Sequence, residues 1–190
     1  MTPIVVLHDV GATGGPWRDA FEKWPDDVYA PDLLVDGASG DRTDIVWCLL
    51  EPMAARRDRA PVIVGCGEHS LAAETFAFAG WCGGLVLVDG LGGAWTTPEE
   101  QIVEQNNWLR AKFDDLDHVG YPHVWIEPFH AAMRANVRCP VLVIETDASL
   151  TPLGDAERRL QQFAGPARLV RLESSDPEPV VAAVTEWVGS

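Results

Sequence analysis

Six short apolar runs punctuate the chain, at residues 4–7, 28–33, 62–66, 85–88, 141–144 and 168–172, each bounded by Gly, Pro, Asp or Asn. Runs such as Val62-Ile63-Val64 and Leu85-Val86-Leu87-Val88 show no alternation of apolar and polar residues. A strand with one wet face alternates, whereas a continuous Val/Ile/Leu run fits a parallel strand covered on both faces. Parallel strands require crossovers, and helical segments are predicted at 16–24, 41–57, 68–79, 153–163 and 177–188. The last carries Val180, Val181, Val184 and Trp187 on one stripe. Strand and helix therefore alternate, which predicts an α/β architecture: a doubly wound, mostly parallel sheet of about six strands. The right-handed crossover rule gives the strand order 2-1-3-4-5-6. At 190 residues, with no internal repeat or linker, the chain suits one domain spanning 1–190.

In such a sheet ligands bind where the winding reverses, outside the carboxyl ends of strands 1 and 3. That places residues 8–15 and 66–70 on the rim of one crevice. The stretch 94–138, between strands 4 and 5, is much longer than an ordinary crossover and is predicted to be a lid or cap inserted into the domain. It holds a predicted helix over 98–117, with Thr97 as cap, Pro98 as first helical residue and Glu99 and Glu100 in the first turn. A second short helix is predicted over 128–135.

Composition narrows the classes of function. A net charge of −15 repels phosphate backbones and anionic lipid, so neither nucleic acid nor a membrane is an expected partner. No apolar run approaches the roughly 20 residues that span a bilayer. Met1 is followed by a strand-like run without a basic region or small-residue cleavage site, so a cytoplasmic location is expected. Cys48, Cys66, Cys82 and Cys139 include no C-x-x-C pair and are expected to be reduced and mostly in the core. His118, His123, Glu127 and His130 match no compact metal-ligand spacing, and no metal and no cofactor are expected.

Several motifs, in order, resemble the α/β-hydrolase superfamily across essentially the whole chain. Val5-Val6-Leu7-His8-Asp9-Val10-Gly11-Ala12 is similar to the family's strand ending in His-Gly, whose loop gives a backbone N–H to the oxyanion hole; Asp9 stands where Gly is usual. Ala30-Pro31-Asp32-Leu33 resembles the turn after the next strand. Val62-Ile63-Val64-Gly65-Cys66-Gly67-Glu68-His69-Ser70 falls where the family writes a strand followed by G-x-S-x-G. Leu85-Val86-Leu87-Val88-Asp89-Gly90 and Cys139-Pro140-Val141-Leu142-Val143-Ile144 resemble the next two strands.

The resemblance implies a Ser-His-acid triad, and this sequence departs from it. Aligning Gly65 with the first Gly of the elbow puts Gly67 at the nucleophile position and His69 at the last Gly. Glycine has no side chain to attack with. The family's acid follows strand 5, where Asp147 or Ser149 stands, and its histidine follows strand 6, where none occurs: His130 is the last histidine. The triad lacks its first and third members.

Other groups near the crevice carry chemistry of their own. Glu68 and His69, at a helix start beside an apolar crevice, have the pKa range and proximity for proton exchange, or else complement the helix dipole and pack beneath the lid. His8 ends strand 1 beside the switch point; in the resembling family that histidine is commonly structural. Ser70 lies in the first helical turn, where capping or packing is the plain use, and Cys66 is one residue early for a nucleophile. Trp81, Trp95, Trp108 and Trp125, among eight tryptophans, lie in or near the lid region and are core residues or walls of a flat apolar pocket. The expected pocket comprises His8, Asp9, Val10, Gly11, Cys66, Gly67, Glu68 and Trp95. The function expected is noncatalytic binding of a small apolar ligand. The alternative is an enzyme without a covalent intermediate (a lyase, an isomerase or an unconventional hydrolase) using His8, Glu68 or His69, with Ser70 and Asp147 as further candidates. A second alternative is dinucleotide binding through Gly11-Ala12-Thr13-Gly14 and Asp32, although Trp17 and Pro16 break the glycine pattern.

Overall fold

A computed structural model describes residues 2–8, 12–32, 42–90, 127–147, 149 and 155–189. Within them the chain runs β1 (Ile4–Leu7), α1 (Gly15–Ala20), β2 (Val28–Tyr29), α2 (Arg42–Ala54), β3 (Val62–Cys66), α3 (Ser70–Phe78), β4 (Gly84–Val88), α4 (Glu127–Arg134), β5 (Val141–Glu145), α5 (Asp155–Leu160), β6 (Ala167–Arg171) and α6 (Pro177–Gly189). Short 3-10 turns at Arg57–Arg59 and Gly67–His69 precede β3 and α3. The strands form one sheet in the order β2-β1-β3-β4-β5-β6, and every pairing is parallel. This is the order expected from the crossover rule.

The absence of alternation in the strands has its cause in the layers. Val5, Leu7, Ile63, Leu85, Leu87, Val141 and Val143 pack on one face against Leu49 and Met53 of α2 and Ala72, Ala73 and Phe76 of α3. Their chain neighbours Ile4, Val6, Val62, Val64, Val86, Val88, Leu142 and Ile144 pack on the other face against Trp17 of α1, Phe21 just after it, and Val180 and Val184 of α6. Both faces are dry, so both sets are apolar. The edge strand β6 is only partly buried, with Arg168 and Arg171 exposed.

Two expectations change. Strand 2 is predicted over 28–33, but among the described residues it ladders only at Val28 and Tyr29. Pro31 has no N–H to donate, and the next carbonyls are taken by side chains: Ala30 O accepts from Arg18 Nη1, and Pro31 O from His8 Nε2 at 2.8 Å. The cysteines meet the core to different degrees. Cys66 is buried in it, Cys82 and Cys139 pack against it half-buried in the loops that lead into β4 and β5, and Cys48 is exposed. The predicted helix at 98–117 and most of the predicted lid lie outside the described residues; its last helix is α4.

α4 is fastened beneath the sheet by a fully buried ion pair. Arg134 donates from Nη2 and Nε to the Glu74 carboxylate of α3, at 3.0 and 3.2 Å, and from Nη1 to Gln162 Oε1 at 2.9 Å. Both ionic side chains have no solvent exposure. The guanidinium also faces the Phe163 ring, 5.7 Å from its centroid. A charge so far from water survives only when its partner and hydrogen bonds are all in place.

Candidate functional site

The elbow follows β3. Cys66 is still extended, at φ −111° and ψ 136°, and Gly67 turns the chain at φ +50° before the 3-10 turn leads into α3. A left-handed residue between a strand and a helix is the sharp, strained turn from which this fold displays a nucleophile. Gly67 occupies its apex, and glycine bears that conformation without the steric cost of a Cβ. The helix start is drawn close to the sheet. A Cβ on Gly65 would stand 2.7 Å from Ala73 Cβ and 2.8 Å from Ser70 Cα, and one on Gly90 would overlap Ser70 Oγ. Ser70 is fully buried in this contact, and its hydroxyl donates to Gly65 O at 3.0 Å.

His8 and His69 meet beside the elbow. They are 1% and 0% exposed, with ring centroids 6.4 Å apart and planes at 71°. His69 Nδ1 bonds the His8 carbonyl oxygen, and His8 Nε2 bonds Pro31 O. A carbonyl oxygen only accepts, so each of those ring nitrogens carries the proton. In the neutral rings the lone pairs are therefore on His69 Nε2 and His8 Nδ1. The His8 carbonyl thus joins β1 to the elbow and orients the His69 ring, while Pro31 O orients the ring of His8.

At the next strand end Asp89, at φ +52°, crosses from β4 to β5. Its Oδ1 accepts from Thr146 N at 2.8 Å and its Oδ2 from Thr146 Oγ1 at 2.7 Å. Glu145, nearly buried at the end of β5, has its carboxyl pushed above its usual value by burial, against the pull of Arg171 at 3.3 Å. Asp147 follows it, exposed, two strands from the elbow.

The structure thus brings His8, Cys66, Gly67, His69 and Ser70 together at the carboxyl ends of β1 and β3. Asp9, Val10, Gly11 and Trp95 lie outside the described residues, as do His118 and His123, and the side chains of Glu68, Glu127 and His130 are not described. Among the described residues no group of three or more His, Cys, Asp or Glu is placed to hold a metal ion. None of the described helices is long and apolar enough to cross a membrane. Gly14 and Asp32, the halves of the dinucleotide pattern, are bonded to each other, Gly14 N donating to Asp32 Oδ1 at 2.6 Å. A cavity of about 570 Å³ lies at the opposite, amino-terminal end of the sheet, among Arg59, Val62, Gly84, Val141, Arg168 and Trp187.

Sequence reasoning did not single out Glu74, Arg134 or the Asp89–Thr146 bridge. A signal existed for the first: Glu74 interrupts Leu71-Ala72-Ala73 and Phe76-Ala77, a helix face too apolar to hold a carboxylate unless a base meets it.

No protein-family model matches the sequence, and no curated protein sequence matches it. Solved structures do. A putative non-heme bromoperoxidase, BpoC from Mycobacterium tuberculosis H37Rv, superposes with a TM-score of 0.71 at 13% identity over 100% of this chain and 92% of that one. The thioesterase domain from the curacin biosynthetic pathway gives 0.70 at 12%, over 100% and 91%. The esterase EaEST from Exiguobacterium antarcticum gives 0.68 at 14%, over 100% and 92%. The chain has the α/β-hydrolase fold.

Proposed function

We propose that this protein binds a small, largely apolar molecule in the crevice at the carboxyl ends of β1 and β3, without forming an acyl-enzyme. The supporting observation is Gly67: the elbow keeps its left-handed apex, at φ +50°, and bears no side chain there. The other hydroxyl nearby, Ser70, is turned into the helix–sheet contact and spends its proton on Gly65 O. A serine nucleophile needs an exposed Oγ and a base within reach. Esterases and a thioesterase are among the proteins of similar fold, so simple acyl esters are the first ligands to try.

The test has two arms. Short-chain p-nitrophenyl esters should be hydrolysed no faster than by a surface-matched control protein, and a fluorophosphonate probe should leave the chain unlabelled. An apolar fluorescent probe should bind the wild type and lose affinity in Gly67→Trp while the fold persists. Stoichiometric labelling of Ser70, or a wild type that binds no apolar probe, overturns the reading.

A second reading rests on the tautomer of His69. With Nδ1–H given to His8 O, the neutral ring keeps its lone pair on Nε2, the form of imidazole that a general base without a covalent intermediate requires. Turnover lost in His69→Gln, with a pH profile rising through the imidazole range, would favour that enzyme over the binder.

A further inference from the structure

Cys82 lies just before β4 and Cys139 just before β5, strands paired in register through Leu85 and Val141. The two cysteines are 57 positions apart in the chain, and their sulfurs stand 3.7 Å from each other. Adjacent strands run about 4.8 Å apart, within the Cα range that a disulfide spans. The flanking backbone is held by close packing: a Cβ on Gly83 would stand 2.7 Å from Ala60 O, and one on Gly165 would overlap the Cys139 carbonyl oxygen. Both cysteines are partly exposed, and their neighbours Gly83 and Pro140 line the 570 Å³ cavity.

We propose that Cys82 and Cys139 are a redox-active dithiol that closes to an intramolecular disulfide when the protein meets a hydroperoxide. Either thiol can donate across the 3.7 Å contact; with Cys82 donating, the bond and burial push Cys82 up and hold the Cys139 thiol below its usual pKa, and Cys139 is then the attacking sulfur. Its thiolate attacks the peroxide, the O–O bond breaks, and the leaving oxygen takes a proton as water or alcohol. Cys139 is oxidised to the sulfenic acid and the peroxide is reduced. Cys82 sulfur then attacks Cys139 sulfur; the S–O bond breaks, and the hydroxyl departs as water with the Cys82 proton. The sulfurs need to close by less than 2 Å. The bond would enclose the whole chain segment between β4 and β5 in a covalent loop tied at the amino end of the sheet.

The test uses the full chain with Cys48→Ser, which removes the exposed thiol. After stoichiometric hydrogen peroxide, the intact mass should fall by about 2 Da, non-reducing peptide mapping should find the 82–139 link, and dithiothreitol should restore the mass. Melting temperature should rise by several degrees in the oxidised form and return on reduction. Cys82→Ser should accumulate a dimedone-reactive sulfenic acid on Cys139 and form no link. Peroxide oxidation without an 82–139 link in the folded protein, or a link formed only after urea unfolding, overturns the proposal.

Discussion

The two ends of the sheet hold their polar groups in opposite ways. At the carboxyl end His8, His69, Ser70, Glu145 and Thr146 are all buried, and each is placed by a neighbour's backbone or side chain. At the amino end the charges of Arg59 and Arg168 are about half exposed, and their ion pairs reach over the surface. A buried polar group costs the fold several kcal/mol if its partner is lost, whereas an exposed one falls back on water. Among these described residues, those at the carboxyl end are therefore the position-specific ones, where a ligand would find prearranged groups, and the exposed pairs at the amino end are the tolerant ones.

The sharpest test of buried against exposed polar groups is the ion pair that fastens α4 to α3, the helix that the elbow begins. Arg134→Met leaves the Glu74 charge buried and unpaired, and should cost about 3–5 kcal/mol, read from the shift of the urea midpoint. The double variant with Glu74→Leu should recover most of the loss. If the single change costs under 1 kcal/mol, water reaches Glu74 and burial does not make this contact exacting.

Next in size is Gly67→Ser. A side chain at φ +50° should cost about 1–2 kcal/mol, and the variant should still hydrolyse p-nitrophenyl butyrate no faster than the wild type. Substantial turnover in that single variant would show that His69 or His8 serves as base.

The sequence made the frame legible because both-faces burial leaves a compositional mark: the Val/Ile/Leu runs located β1, β3, β4 and β5 to within a residue, and parallel crossover fixed their order. Strand 2 was overestimated because the ladder there is displaced by side chains from His8 and Arg18, contacts that no local pattern encodes. The strand, turn and helix around residues 62–78 were legible as a motif, and Gly67 is the left-handed residue between them. The tautomer of His69, the inward turn of Ser70 and the Asp89–Thr146 bridge were not, since each depends on a partner more than three residues away in the chain or on a neighbouring strand. The cysteines were read too uniformly for a related reason: a small apolar residue reads as core, but Cys82 and Cys139 pack against the core from its edge, where strands begin, and Cys48 is exposed.

A smaller effect is expected in the pH dependence of Glu145. Its folded carboxyl is raised above the ordinary 4.5, chiefly by burial, so its contribution is fully present below 4.5 and is lost as pH rises through the higher folded value. Glu145→Gln cannot ionise and should lack that loss. The melting temperature of the variant relative to wild type should therefore rise between pH 4 and pH 7. A difference that stays flat would mean that Arg171 compensates the burial fully and that Glu145 belongs with the solvated charges of the other end.

The least effect should come from the amino end itself. Arg168 and Glu186 approach to 3.5 Å with side chains 52% and 74% exposed, so water and salt screen their attraction and each side chain gives up conformational freedom to hold the pair. Arg168→Gln should change stability by less than about 0.5 kcal/mol, and the difference should vanish in 0.5 M salt, a concentration of about the order at which the Debye length falls well below 8 Å. Differential scanning fluorimetry of the two proteins at low and high salt reads this directly. A loss above 1 kcal/mol that persists in salt would place Arg168 in a packed contact with the cavity wall, where its stem covers apolar surface beside Trp187, and the amino end would then be as exacting as the crevice.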